Sequence, residues 1–266
     1  MKYIKILIAL LSVVTLFCSA QDAALNIGGT TLSIKPETQA EELAAGKIVA
    51  SQLLGSAKLV ANPPLQNYVN KIGRHIANQT ERKDLPWSFG VIDSTAINAF
   101  AAPGGYILLT SALMQLLETE DELAAVLAHE IGHVIRKHHY KVIRKQQMLE
   151  FGMNAVEIEG ADNANKLSAM VAQILARGLD KSAEYEADRD GMVYAARAGY
   201  DSSAMLRIME KLSTATSKDD ATQLLLSTHP SPLSRQSALS MAVNAEIEKA
   251  GVKSSASSRF SSIFEK

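Results

Sequence analysis

The chain has 266 residues, enough for one large or two small domains with a core of their own. A net charge of −1 without a basic cluster excludes an electrostatic nucleic-acid binder, and a single cysteine excludes a disulfide-held scaffold. Aromatic residues are only 5% of the chain while alanine, leucine and serine abound, which favours a mainly helical body.

Residues 1–20 read as a signal peptide: Lys2 and Lys5 form a positive start, Ile6 to Phe17 an apolar run, and Cys18-Ser-Ala20 a small-residue cleavage site. The apolar run is too short to span a membrane comfortably, and no later stretch reaches that length. Export, to the periplasm in a two-membrane cell, is the expectation. A lipoprotein anchored through Cys18 is the lesser alternative, because lipid attachment prefers a small residue where Phe17 stands. The working domain is then 21–252. Gln21 to Lys35 reads as an irregular arm or weak strand around Gly28-Gly29. A helix is expected over Glu37–Val60, and another over Leu65–Ala77 after Asn62-Pro63-Pro64, whose prolines suit a helix start. His75 stands alone and reads as a surface or capping residue.

Trp87–Asp93 and Tyr106–Thr110 read as strands, with Ala99–Gly105 a turn between them and a short helix over Ser111–Leu117. Next comes the stretch with the strongest chemical signal, Leu123 to His139. Thr119 and Glu122 have capping-box spacing, so an amphipathic helix is expected from Asp121 to about residue 140. On it, His129 and His133 are four apart and project from one face, so that both imidazoles reach a single metal ion. Glu130 adjoins the first of them, in position to act as a base toward water beside that ion. This is the H-E-x-x-H zinc signature.

Catalytic zinc takes three protein ligands and keeps one position open. His139 has metzincin spacing from His129, but that pattern needs a glycine where Arg136 stands, so that the helix can end. On a continuing helix His139 lies more than two turns from His129 and cannot reach, and His138 meets the same objection. A carboxylate from a second helix is the other route. The helix expected over Ser182–Ala198 carries Glu184 and Asp188 on one face, with Glu186 on the opposite side. Glu184 suits a ligand, and Asp188 suits an acceptor that fixes the tautomer of a ligand histidine. An acidic face in solvent, paired with Lys181 and Arg189, reads equally well from spacing alone.

Between those helices, Lys141–Leu179 is helix-rich with a break near Gly160, and its methionines read as core filler. A helix over Asp201–Thr214, the proline-stiffened loop Thr228–Arg235, a last helix to about Lys249 and a flexible serine-rich tail over 253–266 complete the chain.

His129-Glu130-x-x-His133, Glu184-x-x-x-Asp188, Asn98-Ala-Phe-Ala-x-Pro-Gly-Gly105 and Thr228-His-Pro-x-x-x-x-Arg235 together resemble the HtpX and CAAX-prenyl-protease family of zinc metallopeptidases, over about residues 60–245. The resemblance implies an α+β, mostly helical zincin-like fold with a small sheet beside the motif helix. It implies one Zn2+ per chain, held by His129, His133 and Glu184, with Glu130 as general base. Protein or peptide substrates follow, and the chain is most similar to exported bacterial members that act in cell-envelope protein quality control, which makes outer-membrane protein assembly a candidate partner. Without membrane spans, prenylated-substrate processing does not carry over. The resemblance also sets His229 near the zinc, where it either plugs the fourth position or, protonated, stabilises the oxyanion. A strand beside the metal would pair with an extended peptide, unless the sheet is purely structural. A chaperone or assembly factor with latent proteolysis is the alternative function.

Overall fold

The computed structural model describes residues 23–27, 30–34, 38–151, 178–214, 224–225, 228–229, 231–242 and 260. The signal-peptide stretch with Cys18, the break near Gly160 and all of the serine-rich tail except Phe260 lie outside the described residues. Residues 1–38 form one unit and 39–266 another. In the first, β1 (Ala23–Ile27) and β2 (Thr30–Ile34) pair antiparallel, so the expected arm is a hairpin.

The second unit is α+β and mostly helical. Helix α1 (Gln39–Ser56) precedes α2 (Pro63–Ala77), which opens as its prolines suggest, with the Asn62 side chain accepting from Leu65 N–H at 3.1 Å. Three short strands follow: β3 (Ser88–Ile92), β4 (Ala99–Ala102) and β5 (Tyr106–Thr110). The sheet order is β3-β5-β4, with β5 parallel to β3 and antiparallel to β4. Ala99–Ala102 is therefore a strand, not part of the turn. The expected turn shrinks to Pro103-Gly104-Gly105, whose two glycines take positive φ angles of 77° and 101°.

Both faces of this sheet are covered. Phe89, Val91, Ile107 and Leu109 alternate onto one face and join the main core with Val69 and Ile76 of α2 and Leu123 and Leu127 further on. Ile92, Ala102 and Leu108 point the other way, onto Val49 and Leu53 of α1 and Ile143. The free edge of β3 is also occupied. The Gln66 side-chain amide donates to Val91 O at 2.9 Å and accepts from Val91 N–H at 2.9 Å. Asn70 makes the same exchange with Phe89.

After α3 (Ser111–Leu116), the central helix α4 spans Glu120–Ile135, with Thr119 as its cap accepting from Glu122 N–H at 3.2 Å. It is not amphipathic, because all sixteen of its residues are buried. Its acidic first turn is matched by partners: Tyr68 donates to Glu120 at 2.6 Å, Asp201 N–H to Asp121 at 3.0 Å, and Lys211 to Glu122 at 2.7 Å. Helix α4 also ends earlier than expected. Lys137 takes φ 57°, a left-handed conformation reached without glycine, and a new helix α5 runs from His138 to Phe151. Lys137 and Arg82 both reach the buried Glu42 of α1, which ties this corner to the rest of the unit.

Helix α6 (Lys181–Arg197) is capped by Asp180 and ends before Gly199, whose φ is 86°. His75 sits at this end, its Nε2 2.9 Å from Ala198 O. Helices α7 (Ala204–Thr214) and α8 (Pro232–Ala242) close the described body. Phe260, within the stretch read as a tail, is buried with its ring 6.4 Å from that of Tyr68.

Candidate metal centre

Two glycines allow the approach that builds the site. A Cβ on Gly191 of α6 would lie 2.9 Å from the His129 backbone nitrogen, and one on Gly132 of α4 would lie 3.2 Å from the Ala187 Cα. The two helices therefore touch backbone to backbone, and short carboxylates on α6 reach imidazoles on α4.

His129 and His133 stand one turn apart with rings at 87° and their Nε2 atoms 3.0 Å from each other. Across from them, Glu184 sets Oε2 3.6 Å from His129 Nε2 and Oε1 3.5 Å from His133 Nε2. His229, before α8, brings its Nδ1 to 2.7 Å from Glu184 Oε2. These four residues each offer a donor atom within 4.8 Å of the others. The donor spacings bracket the edge of about 3.4 Å expected around a tetrahedral ion with bonds of 2.0–2.1 Å. Glu184 Oε1 is buried and finds no hydrogen-bond partner among the described residues, a cost that a cation there would offset. The donor set fits a metal ion.

Behind His129, Asp188 Oδ1 lies 2.9 Å from Nδ1, and Arg235 of α8 clamps the same carboxylate, donating from Nε at 2.9 Å and also from Nη2. Glu184 and Asp188 are both fully buried, so the reading of an acidic face paired in solvent with Lys181 and Arg189 does not hold. Behind His133, Nδ1 lies 2.9 Å from His138 Nδ1, and His138 Nε2 is 3.3 Å from Glu186 Oε2. Glu186 is half-exposed as its position opposite Glu184 implied, yet it still reaches the periphery of the centre.

Burial dominates the electrostatics. It drives His133 well below the ordinary histidine value, helped by the neighbouring imidazoles, and holds His139 at about 4. Burial would lower His129 too, and Arg235 adds to that, but Asp188 and Glu184 outweigh both and leave it raised. Burial pushes Glu184 and Asp188 upward. His229, with His129 and Arg235, outweighs it for Glu184, and Arg235, with His129, for Asp188, so both carboxyls titrate below their usual range. Glu130 is the exception: burial raises it above an ordinary carboxylate.

Glu130 opens on two cavities. One, of about 40 Å³, is lined by Leu113, Val126, Met205, Ile208, Met209 and Leu212 together with His129 and Arg235. The other, of about 20 Å³, runs along residues 98–101 at the β4 edge to Glu184, His139 and His229. Asn98 there is fully buried with no hydrogen-bond partner for its side-chain amide among the described residues.

His139 lies against His133, ring centroids 5.6 Å apart, but is not in the four-residue group. The reason expected for its exclusion was wrong, since α4 does not continue through it: the break at Lys137 supplies the turn that a glycine was thought to be needed for. Sequence reasoning gave no role to Arg235, His138 or Glu186. For Arg235 a signal existed, an arginine at fixed distance from the His-Pro pair. For the other two none did, because their contact depends on that break.

The family model described as peptidase family M48 matches residues 63–243. The chain is 33% identical over 233 residues to the beta-barrel assembly-enhancing protease of Yersinia pestis, covering 82% of this chain and 46% of the relative. It is 31% identical over 232 residues to the protein of that name in Escherichia coli (strain K12), covering 82% and 47%. The mitochondrial metalloendopeptidase OMA1 of Schizosaccharomyces pombe is 28% identical over 185 residues, covering 68% of this chain and 54% of that protein. The chain thus spans about half the length of these relatives.

Proposed function

The chain belongs to peptidase family M48, and from that premise we propose that it is a zinc-dependent endopeptidase acting on misfolded or misassembled cell-envelope proteins. The observation that carries this is the buried group of His129, His133, Glu184 and His229 beside Glu130. His129, His133 and Glu184 hold the metal, and residues 21–252 form the peptidase domain. When bound, zinc supplies Lewis acidity at the scissile carbonyl and lowers the pKa of water.

Glu130 then takes the proton from the attacking water and passes it to the departing amine. Its burial suits it to that work, since a carboxylate raised toward neutrality is both a better base and a competent acid. Asp188 accepts from His129 Nδ1–H and so holds Nε2 turned to the metal, while Arg235 keeps Asp188 ionised. The β4 edge pairs with the substrate backbone, and the apolar cavity receives a side chain next to the scissile bond.

His229 is the fourth donor and acts as a plug, making the enzyme latent until its loop moves. Its place within the donor group supports this over the oxyanion role. The same contact favours a second reading, an assembly factor on this fold with proteolysis held in reserve. The names of the bacterial relatives support β-barrel proteins as substrates or partners, and the signal-peptide reading of residues 1–20 supports export to the periplasm. No helix among the described residues is long and apolar enough to cross a membrane.

Metal analysis with a casein cleavage assay tests the proposal. The wild type is expected to carry one zinc and to lose cleavage to a chelator. Glu130→Gln should keep the zinc and lose at least about a hundredfold in rate. Zinc lost in that variant, or cleavage at the wild-type rate, refutes the assignment. At equal zinc occupancy His229→Ala cleaves faster if His229 is a plug and slower if it stabilises the oxyanion.

A further inference from the structure

We infer that His138 is a positioning residue for the metal centre, and that with Glu186 it forms a carboxylate–imidazole–imidazole chain fixing the tautomer and direction of His133. The inference rests on the zinc reading above and adds a part to it that neither the H-E-x-x-H signature nor the carboxylate helix contains.

The geometry begins at the break in the backbone. With Lys137 in a left-handed conformation, α5 starts at His138, and its first side chain turns back under α4 instead of continuing down the helix. His138 is only 7% exposed and lies edge-on to His133, ring centroids 5.1 Å apart and planes at 70°. That arrangement directs Nδ1 of one ring at Nδ1 of the other, at 2.9 Å. Two neutral imidazoles at this distance share one proton, so one nitrogen donates and the other accepts.

The assignment of roles follows from the far side of each ring. The Glu186 carboxylate can only accept, so His138 keeps a bare Nδ1, and the proton of His133 sits on its own Nδ1 with Nε2 turned toward His129 and Glu184. His133 Nδ1–H therefore donates to His138 Nδ1. His138 then carries its proton on Nε2, where Glu186 Oε2 accepts it at 3.3 Å. Each step demands the next, and reversing any one would set two protons or two lone pairs face to face. A ligand histidine regularly donates its second N–H to a carboxylate, a carbonyl or water. Here a second histidine does this, and passes the demand on to a carboxylate at the surface.

The prediction for metal affinity separates this role from packing. His138→Leu removes the acceptor and is expected to weaken zinc binding about 10–100-fold in competition with a chromophoric chelator. His138→Asn places a carbonyl oxygen near the vacated Nδ1 position and is expected to restore affinity to within about threefold of wild type. The visible bands of the cobalt-substituted protein should shift in the leucine variant and return in the asparagine one. Glu186→Ala, a half-exposed change that leaves the core intact, should weaken zinc by about threefold, in keeping with the small worth of an exposed pairing.

Wild-type affinity in His138→Leu overturns the inference, and so does a loss in His138→Asn equal to that in His138→Leu. If the leucine variant does not fold, wild-type affinity in Glu186→Ala overturns it instead. Nitrogen-15 histidine spectra of the metal-free wild type give a reading independent of zinc. The chain requires His138 as the Nε2–H tautomer, and an Nδ1–H signal refutes it. A wild type that binds no zinc would refute the functional reading above while leaving this tautomer result to stand or fall alone.

Discussion

His129 and His133 face the same donor group from successive turns of α4, yet what stands behind them differs. His129 leans on Asp188, whose charge is met by Arg235, and all three are buried. His133 leans on a neutral histidine whose own partner, Glu186, is half in water. Away from water an ion pair cannot lose one member without leaving the other charged and unsolvated. At the surface water substitutes for a lost partner, and the same deletion costs little. One arm is therefore rigid and all-or-none, and the other is adjustable.

The comparison breaks most visibly at Arg235. Arg235→Leu leaves the buried Asp188 carboxylate without its guanidinium partner and held by His129, and urea unfolding should show a loss of about 3–5 kcal/mol. A loss below 1 kcal/mol would mean that the two arms do not differ as described. A milder lesion on the same arm is Asp188→Asn, which keeps the shape and removes the charge. Zinc affinity should fall about 10–100-fold, as for other outer partners of ligand histidines, and unchanged affinity would deny Asp188 its orienting role.

The smallest effect bears on both arms equally, because Asp188 and Glu186 ride on one helix. Asp180 caps α6, accepting from Ala183 N–H at 2.8 Å, and that bond, with help from Ser182, holds its carboxyl below the usual range. Asp180→Ala should cost about 1 kcal/mol at neutral pH. A carboxyl depressed by folding stabilises only while ionised. The wild-type advantage is thus complete above the ordinary aspartate range and disappears as pH falls through the depressed value. Unfolding curves of the two proteins at neutral and strongly acidic pH check this, and a gap that persists in acid would contradict it.

Much of this centre was legible in the sequence because helical spacing is local information. His129 with His133, and Glu184 with Asp188, follow from a repeat of 3.6 residues and require no knowledge of the fold. What escaped depended on departures from regularity. Lys137 adopts a conformation that a lysine seldom takes, so the end of α4 had no glycine to announce it, and His138 and Glu186 were lost with it. Strand β4 escaped for the opposite reason. The Pro-Gly-Gly signal after it was strong enough to draw Ala99–Ala102 into the turn, although these residues pair with Tyr106–Leu109. The buried acidic start of α4 was hidden because its partners Tyr68, Asp201 and Lys211 come from distant parts of the chain.

The amides of Gln66 and Asn70 give the small sheet a direction of growth. Together with the backbone of Lys58 to Val60, which pairs with Val91 and Asp93, they answer the outward N–H and C=O groups of Phe89 and Val91 and act as a counterfeit fourth strand made largely of side chains. Among the described residues this three-stranded sheet is closed at β3, and the edge it leaves is β4, on the side of Glu130 and Glu184. A bare strand edge is open to capture by an extended chain, and under the proposed function that capture takes place beside the metal centre.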